Sequence, residues 1–218
     1  MKRKNMPSIL IVGASRGIGL GLVSQFASEG YRVHATTRTP EAPGKLGSIE
    51  GDIQIHGLEV RDDTQLDELA VNLENENLDI LIHNAGTYEA TRDVLMEVNA
   101  EAPIRTCERL IEQMNSGGRV VLMTSQLGAR RGKDESLGNY GDSKAALNDR
   151  FREKAKDWSE RGISAVVMHP GWVRTDMGGA NADISVVEST RGIFSFVESM
   201  NSSDHGRFVT WEGSDHPW

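Results

Sequence analysis

The sequence predicts an α/β protein built on a mostly parallel sheet, and three observations carry that reading. Apolar runs of strand length recur along the 218 residues, stretches with helical polar-apolar patterning lie between them, and some runs, such as Val120-Val121-Leu122-Met123, are apolar at every position. Alternation of strand and helix is the pattern of a parallel sheet with helices on both faces. A strand that is apolar throughout is one buried on both faces. The chain has the length of one domain, and its 38% apolar content is ordinary for a globular core.

Taken in order, Ser8-Ile9-Leu10-Ile11-Val12 gives the first strand, 8 to 12, and a glycine-rich turn leads into a helix over 17 to 29. That helix stops at Gly30, a natural C-terminal glycine. A second strand is expected at 31 to 36 and a third at 53 to 58, followed by a helix over 63 to 75. The fourth strand, 78 to 83, precedes a helix over 101 to 115, and the fifth spans 119 to 124. A helix over 140 to 160, a strand at 163 to 168, a helix over 186 to 200 and a strand at 207 to 210 complete seven strands. No internal repeat, low-complexity tract or linker interrupts them, so residues 1 to 218 are read as a single doubly wound domain.

Charge and composition exclude several function classes. A formal net charge of -8 and a pI near 5.3 oppose general affinity for nucleic acid or anionic lipid, since both require a basic face. No apolar stretch approaches the roughly 18 residues needed to span a bilayer. Cys107 is the single cysteine and cannot close an intrachain disulfide. The start, Met1 to Pro7, lacks the apolar segment of a secretory signal. The expectation is a cytoplasmic protein with no nucleic-acid or membrane partner.

The turn after the first strand reads Gly13-Ala-Ser15-Arg16-Gly17-Ile18-Gly19. Its spacing is G-x-x-x-G-x-G, not the commoner G-x-G-x-x-G, but it sits between a strand and a helix, where a pyrophosphate rests on free amides and the helix dipole. A tight turn that binds nothing is the alternative. Arg16 lies in the loop and Arg38 closes the second strand, where an NAD-preferring site carries an acid for the ribose hydroxyls. Two guanidiniums there suit a ribose 2'-phosphate, because each offers paired donors. They favour NADP(H), with NAD(H) the lesser choice; the alternative is two solvated surface charges.

Tyr140 and Lys144 stand four apart at the start of a predicted helix and share a face. A group that reduces a carbonyl must protonate its oxygen, and a phenol of pKa about 10 needs its anion favoured. An ammonium at about 5 Å, with an effective dielectric near 20, contributes roughly 3 kcal/mol, or about two pK units. Ser125 follows the fifth strand, at the edge where open parallel sheets bind ligands. Its hydroxyl is placed to hold the substrate oxygen.

Together these motifs resemble the short-chain dehydrogenase/reductase family, small-subunit type. The resemblance rests on Gly13 to Gly19, His83-Asn84-Ala85-Gly86, Asn99 after Val98, Ser125 ahead of Tyr140 and Lys144, and Pro170-Gly171-Trp-Val173-Arg-Thr175-Asp-Met. It spans nearly the whole chain. The segment His169 to Gly179 and the ending Gly206 to Trp218 are similar to sniffer-type carbonyl reductases and bacterial C-factor proteins. The resemblance implies a Rossmann-type fold that carries cofactor and substrate sites together. It also implies Tyr140 as general acid, Lys144 on the nicotinamide ribose, Ser125 orienting the carbonyl and Asn99 holding a relay water. Asn84, Ala85 and Gly86 would let the cofactor ribose approach closely, and Pro170, Gly171, Val173 and Thr175 would wrap the nicotinamide amide. Glu59-Val60 stands where the family has Asp-Val against adenine, and His83 replaces the family's asparagine. Implied too are a small carbonyl or alcohol substrate and a homodimer or homotetramer paired through 101 to 115 and 140 to 160. A C-factor-like regulatory protein that binds the dinucleotide with little turnover is the second reading.

Other candidates read more plainly. Cys107 lies beside Ile104, Leu110 and Ile111 as a small buried apolar residue. The six histidines lack metal-site spacing, so no metal is expected. Ser125 is outside any G-x-S-x-G motif, which argues against a hydrolase. Arg130 to Glu135 is read as solvated loop, with a border to the substrate entrance as the alternative. By the resemblance, residues 176 to 185 would be the substrate-covering loop, short and with little aromatic character, Trp172 being the nearest large ring.

Overall fold

The computed structural model describes residues 6–129 and 138–218, so the charged stretch Arg130 to Glu135 lies outside the described residues. Its strands are β1 (Ser8–Val12), β2 (Arg32–Thr37), β3 (Ile53–Gly57), β4 (Leu78–His83), β5 (Met114–Met123), β6 (Ser164–His169) and β7 (Phe208–Thr210). They form one sheet in the order β3-β2-β1-β4-β5-β6-β7, and every neighbouring pair is parallel. The chain runs outward from β1 to β3, returns to pair β4 with β1, and continues outward to β7. The crevice at the carboxyl ends of β1 and β4 is therefore the topological switch point, where ligands bind in such sheets.

The helices are α1 (Gly17–Ser28), α2 (Asp63–Asn72), α3 (Arg92–Met96), α4 (Ala102–Leu110), α5 (Gly138–Glu160) and α6 (Val186–Ser199). Alternation along each strand splits the core into two layers. Leu10, Val12, Val120, Leu122 and Val167 pack with Leu66 and Leu69 of α2, Cys107 and Leu110 of α4, and Leu147 and Phe151 of α5. Ile9, Ile11, Val33, Ile82, Val121 and Val166 point the other way, onto Leu22 and Phe26 of α1 and Ile193 and Val197 of α6. Each such side chain contributes roughly 1.5–3 kcal/mol by leaving water. This double coating is what makes the strands apolar at every position.

Two elements differ from the expectation. The helix expected over 101 to 115 begins instead at Arg92, passes through a turn of π-helix over Glu97–Glu101, and ends at Leu110. Thr91 starts it by accepting a hydrogen bond from Val94 N, and Ile111–Gln113 is only a short 3-10 turn. The fifth strand starts at Met114, five residues early, because Met114 pairs with Leu78 before an irregularity reaches the next pair, Ile80 with Arg119. Glycines 117 and 118 occupy that bulge: Gly117 takes φ +83°, and a Cβ on the buried Gly118 would lie 2.9 Å from Asn115 O.

Candidate active site

At the switch point Gly13 turns the chain out of β1 with φ +82°, and its amide donates to Thr36 Oγ1 at 3.0 Å. A Cβ on Gly13 would lie 2.7 Å from Ala85 Cα, and one on Gly19 would lie 2.0 Å from the Gly13 carbonyl oxygen. Backbone atoms cannot yield that far, so both positions require glycine. Helix α1 follows Arg16, whose side chain makes no capping hydrogen bond, and its first turn contains no acid. Its leading amides and the positive end of its dipole are left for an anion.

A cavity of about 330 Å³ extends from this loop to Tyr140 and Lys144. It is lined by Gly13, Ser15, Arg16, Gly17 and Ile18, by Arg38, Glu59 and Val60, by Asn84, Ala85 and Gly86, and by Pro170 and Thr175. The structure thus gathers most of the expected site residues around one space. Gly19, Asn99, Ser125, Gly171 and Val173 do not line it. Gly19 is pressed on the glycine turn, and a Cβ on Gly171 would sit 2.5 Å from Ile184 Cδ1, while Val173 bridges to Ile184. These last two shape the wall from behind. Sequence reading missed Thr36, Thr37, Arg61, Thr87 and Met177, which also line the cavity; of these, the two threonines stand directly before Arg38.

The arginines that suggested a phosphate are each matched to an acid. Arg16 Nη1 lies 2.9 Å from Asp176 Oδ2, and Arg38 Nη1 lies 3.9 Å from Glu59 Oε2. Glu59 also accepts from Arg61 Nε at 3.0 Å. That hydrogen bond is the main reason its carboxyl is held below the usual carboxylate range.

The opposite end of the cavity is buried. Lys144 is enclosed and donates from Nζ to Met123 O at 2.8 Å, and burial lowers its ammonium to about 8. It keeps two further N–H donors. The Ser125 hydroxyl accepts from Leu127 N at 3.2 Å and is near enough to the Tyr140 phenol to favour its anion. The expected depression of the phenol by Lys144 is not what the geometry gives. The ammonium lies 5.9 Å from the ring centroid, and burial pushes Tyr140 up to about 12, against the Ser125 hydroxyl that pulls it down. Desolvation of the phenolate dominates over the charge nearby.

Asn99 sits inside the π turn and is fully buried. Its carboxamide accepts from Thr87 N at 2.9 Å, and donates to Thr87 O at 2.8 Å and to Ser143 Oγ at 3.0 Å. Ser143 Oγ in turn donates to Tyr140 O at 2.7 Å. Asn99 therefore fastens the loop after β4 to the first turns of α5, which carry the tyrosine and lysine. A π turn at such a place is a common companion of functional sites. Cys107 is buried, and its thiol is pushed up by that burial, which leaves it inert. Among the described residues no helix is long and apolar enough to cross a membrane.

A family model described as short chain dehydrogenase matches residues 7–184. The C-signal of Myxococcus xanthus is 33% identical over 162 residues, which cover 68% of this chain and 98% of that protein. A carbonyl reductase from Pseudomonas aeruginosa PAO1, solved in complex with NADP, superposes with a TM-score of 0.86 at 34% identity, covering 98% of this chain and 100% of that one. The carbonyl reductase Sniffer of D. melanogaster superposes with a TM-score of 0.87 at 27% identity, with coverage of 98% and 100%.

Proposed function

The chain belongs to the short-chain dehydrogenase family of oxidoreductases, and from that premise we propose that it is an NADPH-dependent carbonyl reductase. One observation carries the reading. A single cavity joins the uncapped α1 N-terminus, flanked by Arg16 and Arg38, to Tyr140 and Lys144, with Ser125 beside the phenol. The relative solved with NADP supports the choice of cofactor.

The residues fit such a dinucleotide. The free amides at Gly17 and Ile18 suit its pyrophosphate, and Arg16 and Arg38 suit a ribose 2'-phosphate. Lys144 has two donors to offer ribose hydroxyls, while Pro170, Gly171, Val173 and Thr175 would shape the nicotinamide end. When bound, the dinucleotide supplies the hydride that reaches the carbonyl carbon. Ser125 orients the carbonyl oxygen, and Tyr140 donates its proton to that oxygen, so that C=O becomes CH–OH. A phenol held near 12 is fully protonated at neutral pH, which is the state reduction needs and the reverse of what alcohol oxidation needs. Asn99 keeps Tyr140 and Lys144 in register with the loop after β4.

Assaying NADPH oxidation with aldehydes, diketones, quinones and ketosteroids tests this. Turnover is expected, and Tyr140→Phe should lower kcat by roughly 10²–10⁴-fold while NADPH binds as before. Undiminished turnover in that variant would overturn the mechanism. The C-signal relative favours a second reading, a regulatory protein that binds the dinucleotide with little turnover. For that protein Tyr140→Phe would leave the biological effect intact.

A further inference from the structure

Seven large apolar side chains are exposed among the described residues, and four of them, Tyr88, Leu127, Trp172 and Met177, lie on loops that follow β4, β5 and β6. Each is tied to the catalytic end. The Tyr88 ring centroid is 4.9 Å from that of Tyr140, at an interplanar angle of 57°. Leu127 donates its amide to the Ser125 hydroxyl, Met177 lines the same cavity as Tyr140, and Trp172 Nε1 donates to Gly178 O at 2.8 Å, beside Met177. Isolated exposed apolar side chains are ordinary. Tyr88 against the proton donor and Met177 in its cavity make a surface that would take an apolar group out of water.

We propose that Tyr88 is the aromatic wall of the substrate pocket and that the substrate is a carbonyl compound bearing an aryl group. This rests on the reductase reading above and deepens it. Tyr88 is half exposed although it lies against the proton donor, so one side of its ring is open to a bound molecule. It is also held in place from below, because the preceding residue, Thr87, is bonded through both its N–H and its C=O to the buried Asn99 carboxamide. A planar ring fixed beside the phenol rewards a planar substituent over a puckered one of equal size, since ring stacking adds to the area buried. Met177 adapts to the remaining outline.

The test compares acetophenone with cyclohexyl methyl ketone, which place a flat and a puckered six-membered ring on the same carbonyl. The parent protein and the variants Tyr88→Phe and Tyr88→Ala are assayed for kcat/KM with each ketone and for NADPH affinity. A preference for the aryl ketone of roughly three- to tenfold is expected in the parent and in Tyr88→Phe. In Tyr88→Ala it should fall to about one, through KM for the aryl ketone, with NADPH binding unchanged. An unchanged ratio in Tyr88→Ala, or no preference in the parent, overturns the proposal. A parent that binds NADPH but reduces no carbonyl in the wider panel instead overturns the reductase reading on which it depends.

Discussion

Arg16 and Asp176 at one end of the cavity keep 70% and 77% of their side chains in solvent, whereas Lys144 and Ser125 at the other end are 4% and 8% exposed. The same cavity therefore uses polar groups under opposite conditions. An exposed ion pair is worth about 0–1 kcal/mol and weakens with salt, so its members can exchange partners at little cost. A buried hydrogen-bonding group left without its partner costs about 1–3 kcal/mol. Recognition at the arginine end should be tunable by single substitutions, and chemistry at the tyrosine end should be brittle.

The largest effect that would sharpen this contrast is expected at Asn99, a positioning residue. Asn99→Ala removes the partner of Thr87 N, Thr87 O and Ser143 Oγ together. A loss of roughly 3 kcal/mol follows if part of that deficit is met by water, which lowers Tm by roughly 6–12 °C for a chain of this size. Activity should fall with it, because the Tyr140 and Lys144 turn loses its tether. Calorimetry and kcat measured well below the new Tm separate the two effects; a variant with parental Tm would break the contrast.

Next in size is the pH response. Lys144 is lowered to about 8 by burial, so its ammonium is present below that pH and is lost above it. Tyr140, held near 12, stays protonated across the same range. Reductive kcat/KM should be level towards neutrality and decline above about pH 8, by up to tenfold per unit once the amine is neutral. A profile still level at pH 9.5 would show that the ammonium charge is not needed.

The same division between the two ends governs what was legible in the sequence. β1 matches its expected range, 8 to 12, because the doubly covered strand is apolar from Ile9 to Val12 and Pro7 and Gly13 mark its ends. The glycine loop was legible because close backbone contacts exclude every other residue at Gly13 and Gly19. The π turn was not, because an extra residue inside a helix leaves no trace in a 3.6-residue period, and the expected helix took in only residues 101 onward. Tyr88 was missed for a related reason. Its part is set by packing against a residue 52 positions away, and nothing in Thr87-Tyr88-Glu89 announces that contact. The elevated phenol was missed because local spacing reports charge and is silent about burial.

The smallest expected effects lie at the exposed end, where Glu59 and Arg38 oppose each other. Glu59 is held below the usual carboxylate range by Arg61, so it is negative at neutral pH, 3.9 Å from the guanidinium proposed to receive a 2'-phosphate. Glu59→Gln keeps the side-chain shape and removes that competing charge. It should tighten NADPH by a few-fold, about 1 kcal/mol or less, and leave NADH nearly unchanged, since NADH brings no phosphate to the position. Arg38→Ala should act in the opposite sense, weakening NADPH by about tenfold with NADH again little altered. Both shifts should shrink as salt rises, because both groups are solvated. Fluorescence titration of each variant with both dinucleotides at low and high salt measures all three expectations. If NADPH and NADH affinities move together, Glu59 and Arg38 act on a part common to the two molecules, and the 2'-phosphate belongs elsewhere in the cavity.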